Sequence, residues 1–126
     1  MLNLPWPDPD LNPNKRIDRR ALIGAKQRQK SAWWALAKAA RVSFGHMAKQ
    51  GLHIRLTFYP PDKRRRDLDN LHASCKAGID GFSQAIGIDD NLFSYTLRFG
   101  EPVKGGAVVL EVGAEPAFVP FRGQIS

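Results

Sequence analysis

A single cysteine, Cys75, leaves the chain without any internal disulfide, and a reducing compartment such as the cytoplasm is expected. No Cys/His group has the spacing of a structural zinc site. No run approaches the length of apolar residues that a membrane span needs. Met1 to Asp10 lacks the basic start and apolar stretch of a secretory signal, so neither insertion nor export is expected. Repeats and low-complexity blocks are absent. Acidic residues are scarce: 12 Asp and Glu stand against 19 Lys and Arg, a net charge of +7. That balance favours polyanions, above all a phosphate backbone, without choosing among them. With 126 residues, 43% apolar and 25% charged, the chain has the composition of one folded domain with one core.

The pattern along the chain predicts an α+β domain over residues 1–115 and a loosely ordered tail over 116–126. Leu2 to Trp6 reads as a short strand. Four prolines between positions 5 and 13 then impose a loop over residues 7–20, which carries Lys15, Arg16, Arg19 and Arg20. Good helix formers from about Ala21 to about Met47 predict a first helix, with a break near Gly45 as an option. Within it Trp33, Trp34, Leu36, Val42 and Phe44 are too bulky to be exposed together. Neighbours on a helix diverge by about 100°, so one of the two adjacent tryptophans must face away from the core. Leu52, Ile54, Leu56 and Phe58 alternate with polar residues as in a half-buried strand ended by Pro60 and Pro61. A second helix is expected from about Asp69 to Ala85, with Leu71, Cys75, Ile79, Phe82 and Ile86 as its apolar stripe. Gly78 and Gly81 would permit close approach of another backbone. Leu92 to Phe99 and Ala107 to Val112 read as a hairpin-like pair of strands. The expected order is strand, helix, strand, helix, strand, strand, with the helices packed on a mixed sheet.

The feature that carries chemistry is a conflict of charge. Asp67 and Asp69 follow four consecutive cations, Lys63, Arg64, Arg65 and Arg66, so the acids would repel the phosphates that the cations attract. A divalent cation resolves the conflict. Mg²⁺ takes oxygen ligands, keeps several waters, bridges to phosphate and activates water for phosphodiester hydrolysis. Residues two apart face opposite sides of a helix, so Asp67 and Asp69 share a metal only if the chain is still extended or turning at Asp67. Asp90 joins them if the fold returns it. Plainer uses remain open: Asp67 or Asp69 as helix caps, Asp89-Asp90-Asn91 as an ordinary turn, and Lys63 to Arg66 as a solvated face.

The stretch Pro61-Asp62-Lys63-Arg64-Arg65-Arg66-Asp67-Leu68-Asp69-Asn70-Leu71, followed by a helix leading to Asp89-Asp90, resembles the RusA family of Holliday-junction resolvases. Leu4-Pro5-Trp6-Pro7 and Lys104-Gly105-Gly106 are similar to further features of that family in the same order. The resemblance implies a homodimeric, Mg²⁺-dependent endonuclease of phage or prophage origin that acts in recombination and repair. Mn²⁺ is an expected substitute metal, and no small-molecule cofactor is implied. It carries the metal-binding acids onto Asp67, Asp69 and Asp90, with Asp89 as the neighbour if the register shifts. It also implies a catalytic lysine one helical turn after the second acid, where this chain has Ala73. Lys76, a turn further on, is the candidate replacement; pairing with Asp80 is its plainer use. His72 is a lesser candidate for proton transfer. The DNA-binding candidates are Lys63, Arg64, Arg65, Arg66, Lys15 and Arg16. Competing expectations are a non-catalytic basic nucleic-acid binder and a nuclease for flaps or forks.

Overall fold

Four residues on one side of a single strand, Leu52, Ile54, Leu56 and Phe58, are fully buried, so that strand must lie inside a sheet with partners at both edges. The computed structural model, which describes residues 1–41 and 51–113, has this arrangement. The strands are β1 (Leu2–Pro5), β2 (Leu52–Tyr59), β3 (Phe93–Phe99) and β4 (Ala107–Gly113). They form one mixed sheet in the order β1-β4-β2-β3. β2 runs parallel to β3, with Leu52 opposite Phe93, and antiparallel to β4, with Leu56 opposite Leu110. β1 pairs antiparallel with β4. The helices are α1 (Arg19–Ala39), α2 (Leu68–Ser74) and α3 (Lys76–Ile86). Their apolar residues meet one sheet face in a single core that includes Trp33, Phe58, Ile79, Phe82 and Leu110. The mixed α+β fold expected from the sequence is observed.

The last two strands are not a hairpin. β3 and β4 lie on opposite sides of β2, and residues 100–106 cross over its end. The crossing is held by Gly100 N–H donating to the Phe58 carbonyl (2.9 Å) and Val103 N–H to the Pro60 carbonyl (2.9 Å). Alternation tells which residues face the core and not which edge a strand occupies. The buried β2 needs both edges satisfied, and β4 supplies one of them. Gly106, at φ 72, sits where a Cβ would come within 2.8 Å of the Trp6 ring, so this glycine is required both for its conformation and for its closeness to Trp6.

α1 begins two residues before the expected Ala21. It ends at Ala39 rather than near Met47, because Arg41 takes the left-handed conformation (φ 54) that stops helices. Val42, Phe44, Gly45 and Met47 lie outside the described residues, as does the tail over 116–126. Ala25, Gln29, Trp33 and Ala37 form its buried line at four-residue spacing. Trp33 is wholly enclosed and Trp34 is 44% exposed, so the two tryptophans divide as the 100° step requires. The loop before α1 contains a 3₁₀ turn, Pro9–Leu11, capped by Asp8.

The expected second helix is two helices. Cys75 leaves helical geometry (φ −102, ψ 5) and separates α2 from α3. The break strands the Ser74 carbonyl and the Gly78 N–H inside the protein. Gln29, buried on α1, satisfies both: its Nε2 donates to the Ser74 carbonyl (2.9 Å) and its Oε1 accepts from Gly78 N–H (2.8 Å). The helices can come this close because Gly78 and Gly81 lack side chains. A Cβ on Gly78 would lie 2.4 Å from the Trp33 ring, and one on Gly81 would lie 2.2 Å from the Lys30 carbonyl oxygen. No helix among the described residues is long and apolar enough to cross a membrane.

Replacing Gln29 with the similarly sized Leu removes both bonds without opening a large cavity. Each buried backbone group left unpaired costs about 1–3 kcal/mol, so Gln29→Leu should lower unfolding stability by about 2–4 kcal/mol in a urea titration. A loss below about 0.5 kcal/mol would show that the break is held by other contacts.

Candidate nuclease site

The loop between β2 and α2 is ordered by one acid. Asp62 accepts from Arg64 N–H (2.9 Å), from the Arg64 guanidinium and from Arg66 Nη2 (3.0 Å). These bonds to Arg64 and Arg66 hold its carboxyl down at about 2. Arg66 is largely covered, donates to the carbonyls of Asp62 (3.2 Å) and Arg64 (3.0 Å), and lies 5.5 Å from the Trp6 ring centroid. Arg66 therefore works inside the loop. Lys63 and Arg65 are exposed and make no ion pair among the described residues. Lys15 pairs with Asp10 (2.7 Å), and Arg16 is exposed.

Asp67 is extended (φ −106, ψ 125) and caps α2, its Oδ1 accepting from Asp69 N–H (2.8 Å). The cap expected as a plainer use is thus present. So is the extended backbone that sharing a metal with Asp69 would require. Asp69 follows in the first turn of α2, exposed. Asp89 caps a second 3₁₀ turn, Asp90–Leu92, by accepting from Asn91 N–H (3.0 Å). Asp90 opens that turn and reaches Asp80 on α3. Their two carboxyls come within hydrogen-bonding reach, and this contact with Asp80 is the main reason that the Asp90 carboxyl is raised above its usual range. Slight burial and the charges of Asp80 and Asp89 push the same way.

Two aromatic residues connect the acid pairs. His72, on α2, packs its ring 4.6 Å from that of Tyr95, on β3. Burial lowers the His72 imidazole; the charge of Asp69 opposes this shift and that of Lys76 adds to it. Burial, then the charges of Asp90 and Asp80, push the Tyr95 hydroxyl up to about 12. The His72 and Tyr95 rings are in contact, the charges of Asp69 and Lys76 act on His72, and those of Asp90 and Asp80 act on Tyr95. Among the described residues no three His, Cys, Asp or Glu side chains converge as a ready metal cage. The acids stand instead as two pairs, Asp67 with Asp69 and Asp80 with Asp90. Lys76 forms no salt bridge with Asp80 among the described residues, so its plainer use is not observed.

Asp80 and Tyr95 were not among the candidates from sequence. Asp80 falls eleven residues after Asp69, close to three helical turns, and that spacing is a usable signal. Tyr95 carries none, because strand alternation marks it only as core-facing.

Two cavities flank these residues. One of about 750 Å³ lies between the proline-rich N-terminal loop and the arginine loop, with Arg64, Arg65, Asp67 and Asn70 on its walls. The other, of about 340 Å³, is bounded by Lys15, Lys26, Lys76 and Asp80.

A scan against protein-family models finds no match. The chain is 34% identical over 113 residues to an uncharacterized protein of Xylella fastidiosa (strain Temecula1 / ATCC 700964), a match covering 88% of this chain and 74% of that protein. This chain belongs to the family of that protein. A match over 88% of 126 residues leaves about 15 uncovered, so it necessarily spans the loop, both acid pairs and Tyr95.

The Asp80–Asp90 contact has a sign in stability. Because the Asp90 carboxyl is raised in the folded state, the native protein keeps that proton to higher pH than the unfolded chain does. The contribution is present below the ordinary carboxylate value of 3.8 and is lost as pH rises through the folded value. Asp90→Asn in metal-free buffer should therefore flatten the fall in melting temperature as pH rises above 4. At pH 7 it should melt higher than wild type by about 1–3 °C, a small effect because both carboxyls remain partly open to solvent. Thermal melts in EDTA across pH 4–7 test this, and a lower Tm for Asp90→Asn at pH 7 would mean the two carboxyls do not repel.

Proposed function

We propose that this chain is a Mg²⁺-dependent DNA endonuclease that resolves four-way junctions, in the manner of the RusA resolvases its sequence resembles. The observation that carries this reading is the contact of His72 with Tyr95, with the charge of Asp69 acting on His72 and those of Asp90 and Asp80 on Tyr95, at the side of a cation-lined depression. The donor set is all carboxylate oxygen, which suits Mg²⁺ or Mn²⁺. Two carboxyls in contact at Asp80 and Asp90 are a repulsion that a divalent cation would relieve, so this pair suits such an ion.

Asp67, Asp69 and Asp90 are the proposed holders of the metal; the cap engages only Oδ1 of Asp67. The bound ion would supply an activated water and a counter-charge for the phosphate. Lys76 donates to a non-bridging or leaving oxygen and stabilises charge that grows there. His72, kept neutral at physiological pH by its burial, can accept a proton near Asp69. The exposed Lys63, Arg65 and Arg16 contact backbone phosphates. Two symmetric cuts require two sites related by a two-fold axis, hence a homodimer. The substrate would be the branched DNA of a bacterial cell undergoing recombination or repair.

A second reading, a basic binding protein without catalysis, is favoured by the caps that Asp67 and Asp89 form. Cleavage of a labelled synthetic four-way junction, with and without Mg²⁺, separates the two. Wild type should make paired, metal-dependent nicks. Asp69→Asn should retain binding and lose at least the roughly 10–100-fold in activity that even an outer ligand partner is worth. Tight binding with no cleavage under any divalent metal would establish the binder, and preferred cutting of linear duplex would sink the resolvase assignment.

A further inference from the structure

The two cavities adjoin: Asn12 and Ser74 line both, so the depression beside the arginine loop borders the one bounded by the lysines. Side by side they make one trough. Its floor is α2 and the start of α3, and its other wall is the N-terminal loop with the first turns of α1. Arg64 and Arg65 stand at one end, and Lys15, Lys26 and Lys76 at the other. The two ends are separated by the length of α2, seven residues or about 10 Å, too far for one phosphate to touch both.

The lysine end has the chemistry of an anion seat. Its three ammonium groups come from three different elements: Lys15 from the loop, Lys26 from α1 and Lys76 from α3. Against them stand two acids: Asp10, which pairs with Lys15 (2.7 Å), and Asp80 on the cavity wall, which faces Asp90 as well. The remaining lining is small or apolar, including Leu22, Ala73 and Ala77, which leaves room for a phosphate with its sugar in about 340 Å³. Lys26 is exposed and makes no ion pair among the described residues, so its charge is uncommitted.

We infer that this trough is a track for the sugar-phosphate backbone of one DNA strand, running from Arg65 to a phosphate seat made by Lys15, Lys26 and Lys76. The inference rests on the nuclease reading for its substrate and adds Lys26 as a contact to a phosphate beside the cut. Lys26 binds and positions; it takes no part in bond cleavage. Ammonium groups act as point charges on the flexible stems of lysine, which suits a backbone phosphate whatever the base sequence. Asp80, at the edge of the seat, turns the strand toward the acid pairs.

The test uses the full chain with Lys26→Ala and Lys26→Glu, and Lys38→Ala as a control of equal charge change twelve residues further along α1, about 18 Å away. Unfolding midpoints of all three should match wild type, since these side chains are exposed. Binding of a fluorescent four-way junction and of a single-stranded oligothymidylate is followed over a salt series in EDTA. Lys26→Ala should weaken both several-fold and reduce the magnitude of the salt slope by about 0.7–0.9, the share of one phosphate contact, and Lys26→Glu should weaken them further. Lys38→Ala should change neither. Amide signals of Lys26, Lys76 and Ala77 should move with the oligonucleotide at far lower concentration than with inorganic phosphate. An unchanged slope in Lys26→Ala overturns the track. Equal or tighter binding of inorganic phosphate, uncompeted by oligonucleotide, assigns the seat to free phosphate and overturns it too. A protein that binds oligonucleotide through Lys26 yet cuts no DNA would refute the nuclease reading and leave the track standing.

Discussion

The side chain of Gln29 joins three helices, and the relative positions of the candidate residues that those helices carry depend on that junction. Where Cys75 leaves helical geometry, continuity no longer fixes the direction of α2 relative to α3. The amide of Gln29 fixes it instead, by accepting from Gly78 N–H and donating to the Ser74 carbonyl. Asp69 and His72 are carried by α2, Lys76 and Asp80 by α3, and Lys26 by α1 one turn before Gln29. Trp33, one turn after Gln29, closes over Gly78. An unpaired carbonyl and an unpaired N–H in that core would each favour opening the break, so the amide acts as a positional constraint as much as a stabilising one.

The charges are sorted by backbone geometry. Residues 63–66 show no helix or strand ladder, and their cations alternate in role. Arg64 and Arg66 turn toward Asp62, and Lys63 and Arg65 point outward. One acid thus rigidifies the loop at the expense of two positive charges and leaves two free for a partner. Further along the trough Lys15, Lys26 and Lys76 surround Asp80, which reaches Asp90 on its other side. A net charge of +7 favours polyanions in general, and on the proposed reading the free Lys63 and Arg65 would meet their phosphates.

Much of the fold was legible because burial has a period. The strand at Leu52–Phe58 and the stripe Leu71, Cys75, Ile79 and Phe82 follow from spacing alone, whereas the buried line of α1, Ala25, Gln29, Trp33 and Ala37, does not stand out among its many alanines. The order of strands does not follow either, because neighbours in sequence make a hairpin only when no other strand needs the shared edge, and here β2 needs it. The break at Cys75 was also hidden, since the apolar stripe continues through it without a change of phase. Among the candidate residues, Asp67 and Asp69 stood out by charge and spacing, and Asp90 rested on the resemblance to RusA resolvases. Arg66 was indistinguishable from Arg65 in sequence, because what separates them is the direction of each side chain relative to Asp62 and Trp6.

The displaced lysine is better understood from the trough than from the helix. The resemblance to RusA resolvases places a lysine one turn after the second acid, at the position of Ala73, and on an unbroken helix a shift to position 76 would move it three residues further from that acid. Ala73 and Lys76 nevertheless line the same cavity, on either side of the break. A lysine stem of four methylenes spans more than the rise of three helical residues, about 4.5 Å, so either position delivers its ammonium into the same space. On the proposed nuclease reading, the site needs a cation over the lysine end of the trough, and the break would let a residue on α3 supply what an unbroken helix would supply from α2.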